Sequence, residues 1–576
     1  MRLSTTSKTG KKRSRRSRRS RRSTRSTRST RKRDKKSRDS AAAKAFSMVL
    51  MEAFVYGSSF ALITWPMREG PAMKAIVISA ACGLTYSLYR RVLINPNLAR
   101  IEISKEGVYD VKDLVAPKCA GWKLVLFEKL LNVNESDALE QASQSKRRWE
   151  EGKSLGPLDG VPFAVKDNFN AVNYTTSYGT CFLADALGVQ LQDCTPIARM
   201  KAAGAILVGK TGMHELGLGT LGTSSVAGPF RNPHNINAYC GGSSTEIGAA
   251  GSAAVVAAGL VPIALGGDGG GSVRIPASIC GVYGLKPTHR RIPNISVGRK
   301  EESRASLTDS QGSGIVDNSV VCIGPIGATI YDIALAYLAV SGDDPTAGNS
   351  LITPKPHVSG FEKITNLRGV RIGIFKSFFE HADPPIVEVK DVVISNMDTI
   401  RLAHLLTIAT ETGQCIEMFE KNNRIEKSKT MGKFTLENEI LLNVCKQCTA
   451  YDYIAAQKVK AFAVEQMRKM FEEVDVLALP TCAVTAPDMR AEAISHGELD
   501  MQVLGRLGRF SSLANFAGLP AISVPAGFDQ QMKPIGFQLM ANAYNEPLLL
   551  RLANSLKDSV KMRKPAGYFY GDEIIL

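Results

Sequence analysis

The stretch ALGGDGGGSVRIPASICGVYGLKPT, Ala264 to Thr288, sets five glycines and an aspartate within residues 266–271 and follows them at once with Ser272. Glycines let a backbone come close to a ligand, and a hydroxyl at the end of such a run is placed to attack one. The flanking segments LVPIAL and ICGVYGL are apolar. A glycine loop wedged between buried segments reads as a functional loop rather than a linker. Ser272 lies in Gly-Gly-Ser-Val-Arg, so the G-x-S-x-G elbow is absent, and no histidine has a comparable glycine-rich setting. A base must come from elsewhere. In GPLDGVPFAVKDNF, Lys166 ends an apolar, strand-like run. Desolvation there lowers an amine's pKa until the neutral form can take a proton, although a lone lysine ordinarily snorkels to solvent. A third candidate is YCGGSST, where glycines again precede serines, Ser243 first, and a helix comes next.

Around these residues the chain alternates helical and strand-like segments from about Pro96 onward. CTPIARMKAAGA reads as a helix leading into the strand ILVGKT, and AGSAAVVAAGL as a helix leading into VPIAL. YDYIAAQKVKAFAVEQMRKMFEEV is a long amphipathic helix before the strand DVLALP. PAISVPAGF and PIGFQLM are strands joined by the turn DQQMK, and residues 297–314 are a polar surface loop. The pattern is α/β with a mixed sheet.

The 576 residues carry a net charge of +18. Residues 1–39 hold 19 Lys+Arg and 2 Asp+Glu, which leaves 53 and 52 for the rest. The excess charge therefore belongs to a Ser/Thr/Arg repeat with too little apolar surface to fold, a disordered tail over residues 1–40. Such a tail suits phosphates of nucleic acid, a nuclear address or an anionic membrane face. The apolar segments directly after the tail favour the membrane over nucleic acid. Ala45–Trp65 is 21 residues with the single charge Glu52, long enough to span given about 20 residues per crossing. Ala75–Tyr89, at 15 residues, is marginal and suits a re-entrant or surface helix. We read residues 41–95 as a membrane anchor, a single helix or a hairpin, with the tail cytoplasmic by the positive-inside rule. The eleven cysteines form no disulfide framework, Cys445 and Cys448 read as helix residues, and no metal or cofactor is called for.

The segment GGSST…GSAAVVAAGLVPIALGGDGGGSVRIPASICGVYGLKPT resembles the signature of the amidase signature family. DGVPFAVKDNF resembles its lysine motif and GKTGMHELGLGT…RNPHN the segment between. DVLALPTCAVTAP and LANFAGLPAISVPAGF…KPIGFQLM resemble its C-terminal part, so the likeness runs over residues 96–576 in the family's order. It implies a three-layer α/β/α fold with a large mixed sheet flanked by helices. It also implies a Ser-cisSer-Lys triad: Ser272 as nucleophile, Ser243 as the bridging serine beside a cis peptide, Lys166 as base. The N–H groups of Gly269, Gly270, Gly271 and Ser272 would form the oxyanion hole. Asp268 and Arg274 flank the loop and would hold it by charged hydrogen bonds. Met213 precedes His214 and Glu215 in the intervening motif, and core packing is the better reading for it.

One departure stands out. EIGAA (246–250) reads as an insert between GGSST and GSAAVV, with Glu246 where the family has glycine. An insert of that length turns a helix by about 500°, so the triad requires the loop to absorb it. With a bilayer anchor, the resemblance implies hydrolysis of long-chain fatty acid amides and N-acylethanolamines, a small-molecule lipid amide substrate, at an endomembrane; a homodimer is compatible with it. The alternatives are a short-chain or aryl amidase of the same family and a catalytically impaired, membrane-anchored binding protein.

Overall fold

The computed structural model describes residues 133–224, 228–241, 251–293, 319–344, 353–358, 361, 367–375, 389–422, 433–490, 501–560, 562–565 and 568. Ten of the described strands form one sheet: β1 (Pro162–Lys166), β2 (Ile206–Thr211), β3 (Ile263–Asp268), β4 (Tyr283–Lys286), β5 (Cys322–Gly327), β6 (Ile372–Ile374), β7 (Val389–Asp391), β8 (Val476–Pro480), β9 (Ala521–Phe528) and β10 (Pro534–Ala541). Their order across the sheet is β7-β6-β8-β10-β9-β4-β5-β3-β1-β2. β1 runs parallel to β2 and β3, and β6 parallel to β7 and β8, while β8, β10, β9, β4, β5 and β3 pair antiparallel in succession. The mixed sheet expected from the segment pattern is the one observed.

Alternation along the strands explains the layering. Phe163 and Val165 share one apolar cluster with Ile263 and Leu265, whereas Ala164 and Ala264 face another. In β8, Val476 and Ala478 pack with Ile522 and Leu539, and Leu477 and Leu479 with Ala521 and Met540. Successive side chains point to opposite faces, so both faces are buried and helices must cover both. One face carries α1 (Ile330–Val340) and α2 (Glu546–Leu556), whose residues fill the clusters of Val476 and Leu539. The other is covered near β8 by α3 (Met397–Asn422) and α4 (Ala450–Glu473), and near β3 by α5 (Ser252–Ala257) and α6 (Arg274–Cys280). Capping fixes where these helices start. Thr449 Oγ accepts from the Asp452 N–H while the Asp452 carboxylate accepts from the Thr449 N–H, and Thr329 with Asp332 repeats the arrangement for α1.

Several sequence readings fall elsewhere. The basic tail, the apolar stretches Ala45–Trp65 and Ala75–Tyr89, and the polar loop 297–314 lie outside the described residues. Among the described residues no helix is long and apolar enough to cross a membrane. Cys445 closes a helix, Leu436–Cys445, but Cys448 sits in the turn after it, its N–H bonded to Cys445 O at 3.0 Å.

Candidate active site

Two parallel neighbours deliver the key residues to one edge. β1 and β3 pair in register, Phe163 with Ile263 and Val165 with Leu265, so their C-terminal ends emerge side by side. One end is Lys166 and the other Asp268, at the start of the glycine loop. Lys166 Nζ donates to Gly267 O at 3.4 Å, across 101 positions of sequence. Its side chain does not snorkel: Lys166 is buried, and that burial pushes its pKa down to about 7 against the opposing pull of the Asp268 charge. A group at that value is substantially neutral at physiological pH and able to accept a proton.

The neighbouring Asp167 spends its charge elsewhere. It meets Lys210 Nζ at 2.7 Å and accepts the Ser177 N–H at 2.9 Å and the Ser177 hydroxyl. Lys210 in turn donates to Thr175 O and Thr176 Oγ. Nothing in the sequence points to Lys210, whose partner lies over forty positions away.

Ser272 comes directly after the loop and precedes α6; it is buried, with 8% of its surface exposed. The loop is organised by Asp268. Arg274 grips that carboxylate with two nitrogens, Nε to Oδ2 and Nη2 to Oδ1, each at 3.0 Å. Asp268 also accepts the N–H of Gly271 at 2.8 Å and of Val273 at 3.2 Å. Burial alone would raise the Asp268 carboxyl, but the Arg274 charge and hydrogen bonds, with Lys286 and Asn515, hold it below the usual carboxylate range. Arg274 is completed by Gln538 Oε1 at 2.5 Å and Asn515 Oδ1 at 2.6 Å. The buried charges are thus paired and hydrogen-bonded on every side, the condition under which such a pair is tolerated.

This geometry corrects one assignment. The Gly271 N–H, one of the four oxyanion donors that the resemblance implies, is already committed to Asp268. The glycines are also required for reasons beyond freeing amides. Gly271 has φ +128°, and a Cβ there would come within 2.5 Å of Ser511 Oγ; at Gly269 it would meet Ile408 of α3 at 2.8 Å. Ser243, its expected cis peptide and the insert 246–250 lie outside the described residues. Thr211, ending β2, bonds Ser252 Oγ at 2.7 Å, which ties β2 to the first residue of α5, just beyond that segment.

Met213 is buried in an apolar cluster with Tyr178, Phe182 and Leu216. Glu215 is buried too, its carboxylate accepting from the N–H and hydroxyl of Thr435 and from Asn438 Nδ2. That motif thus fastens a helix start.

Residues 127–550 match the family described as Amidase. The chain is 36% identical over 462 residues to the fatty acid amide hydrolase of Medicago truncatula, covering 76% of this chain and 72% of that one. It is 33% identical to the fatty acid amide hydrolase of Arabidopsis thaliana, covering 77% and 71%. Among solved structures it is similar to a protein of a vestigial complex tied to the origins of an s-triazine catabolic enzyme: TM-score 0.64, 28% identity, 76% of this chain and 92% of that one.

Proposed function

The chain belongs to the amidase signature family and is an amide-hydrolysing enzyme; from that premise we propose that its substrates are long-chain fatty acid amides and N-acylethanolamines, cleaved through Ser272, Ser243 and Lys166. The observation carrying the chemistry is Lys166, buried at the end of β1, held at about 7 and adjacent to the strand that leads into the Ser272 loop. Neutral Lys166 takes the Ser243 proton, Ser243 takes that of Ser272, and Ser272 Oγ bonds to the amide carbonyl carbon. The carbonyl oxygen becomes an oxyanion facing the N–H groups of Gly269, Gly270 and Ser272, which make no backbone hydrogen bond among the described loops and turns. Collapse breaks the C–N bond, and the proton returns from Lys166 through Ser243 to the departing amine. Water then attacks the Ser272 ester by the same relay and releases the fatty acid.

The lipid half of the reading rests on likeness to the plant enzymes and on Ala45–Trp65 in the sequence. A basic tail plus an apolar segment supplies two membrane signals, which supports a catalytic body held at an endomembrane with the tail on the cytoplasmic side. The test treats the full-length chain with a fluorophosphonate and maps the adduct by mass spectrometry. An adduct on Ser272 that is lost in Lys166→Ala supports the triad; a folded chain without one overturns it. A series of acyl amides then decides the substrate. Turnover rising with chain length supports the lipid reading, whereas preference for short or aryl amides replaces it with the short-chain alternative.

A further inference from the structure

Three side chains from outside the glycine loop hold three consecutive carbonyls of that loop. Asn515 Nδ2 donates to Asp268 O at 2.7 Å, His404 Nε2 lies 2.7 Å from Gly269 O, and Ser511 Oγ donates to Gly270 O at 2.5 Å. A carbonyl can only accept, so His404 is the donor and carries its proton on Nε2. In a planar trans peptide the C=O of one residue and the N–H of the next point in opposite directions. Holding each oxygen therefore aims the following N–H. The third case shows the rule at work: with Gly270 O held by Ser511, the Gly271 N–H points away and meets Asp268 Oδ1 at 2.8 Å. By the same rule Asn515 aims the Gly269 N–H, and His404 aims the Gly270 N–H.

We infer that His404 is a positioning residue that orients the Gly270 N–H toward the oxyanion, an inference that rests on the proposed Ser272 chemistry. The fold is built to keep it there. His404 is buried on α3, edge-on to Phe516 with ring centroids 5.9 Å apart, and a Cβ at Gly270 would come within 3.1 Å of its Cε1. Ile408, one turn along the same helix face, fills the space beside Gly269. α3 itself is anchored: Glu411 accepts from the Ser319 N–H and hydroxyl and from Tyr453 OH at 2.6 Å, and Gln457 Nε2 donates to Thr407 Oγ at 3.0 Å. Burial pushes the histidine down to about 4, so at neutral pH it donates as the uncharged ring. A lone histidine within a long helix gives no sequence signal for this role.

The experiment compares wild type, His404→Ala and His404→Gln as full-length chains. It measures kcat and KM on the best amide substrate, the affinity for a trifluoromethyl ketone, whose hemiketal oxygen mimics the oxyanion, and the melting midpoint. Loss of one well-aimed donor typically lowers turnover by about 100- to 1000-fold. His404→Ala should lower kcat and ketone affinity by matching factors with KM little changed, and His404→Gln, an amide donor of similar reach, should restore a large part of both. Ketone affinity and kcat unchanged in a folded His404→Ala would overturn the inference. So would an equal fall in every parameter that merely tracks lost folded protein. Should the alanine variant not fold, His404→Met, which fills the space without an N–H donor, takes its place: a fall in kcat and ketone affinity that His404→Gln does not share supports the role, and wild-type values in folded His404→Met refute it. Wild-type protein that forms no Ser272 adduct with a fluorophosphonate would instead remove the underlying reading, a result separable from any effect of His404.

Discussion

Beside the site stand two buried ion pairs of different construction. Asp268–Arg274 is a fork: two guanidinium nitrogens meet one carboxylate, whose oxygens also accept two backbone N–H groups. Asp167–Lys210 is a point contact at 2.7 Å, with the ammonium shared among Thr175, Thr176 and the carboxylate. The first shapes a loop. The second occupies a charge: with Asp167 engaged by Lys210, Asp268 supplies the opposing pull on Lys166, and burial governs that lysine. Like charge types thus hold different things, one the backbone of the glycine loop and the other the 175–177 segment against the end of β1.

The largest effect bearing on the comparison comes from removing what the fork serves. Ser272→Ala should lower kcat by at least about a thousandfold with the melting midpoint retained, read by steady-state kinetics and calorimetry. Next is the fork itself. Arg274→Met leaves Asp268 buried and uncompensated, and should cost roughly 3–5 kcal/mol of stability by urea unfolding. Arg274→Lys should recover only part of it, because an ammonium cannot span both oxygens and also reach Gln538. The point contact should act mainly on pH. Lys166 has its pKa depressed by burial, so the neutral base is present above about 7 and activity is lost as pH falls through that value. Lys210→Met frees the Asp167 charge, which favours the Lys166 ammonium and should move the midpoint of kcat/KM upward by about one unit. An unmoved midpoint in a folded variant would show that Asp167 does not reach Lys166. The smallest effect is on α4, where Arg468 pairs with Glu465 and Glu472 in solvent; Arg468→Ala should leave melting unchanged within error.

Part of this is legible in the sequence, and the rest is hidden for physical reasons. Lys166 is visible because an apolar run, PFAV, forces whatever ends it out of water. Asp268 and Arg274 are visible because they sit six positions apart across a turn. The fate of the Gly271 N–H is not, since composition cannot tell an amide offered to a ligand from one taken by a side chain three residues earlier. Asn515, Gln538 and His404 reach the loop from more than 130 positions away, two from helices and one from a central strand, and only the completed fold brings them there. The bridging role of Ser243 rests on resemblance alone.

The strand order carries a consequence for how this protein is made. β9 and β10, at Ala521–Phe528 and Pro534–Ala541, lie in the middle of the sheet and join the β7-β6-β8 group to the β4-β5-β3-β1-β2 group. Until they leave the ribosome, β8 and β4 each present an open edge with no neighbour to pair with. Synthesis interrupted before residue 521 would thus yield two half-sheets, each a template for aggregation, and holdase chaperones should engage the nascent chain most strongly in that interval. The same order withholds Gln538 from Arg274, so an incomplete chain would carry the serine and the lysine but not the finished loop around them.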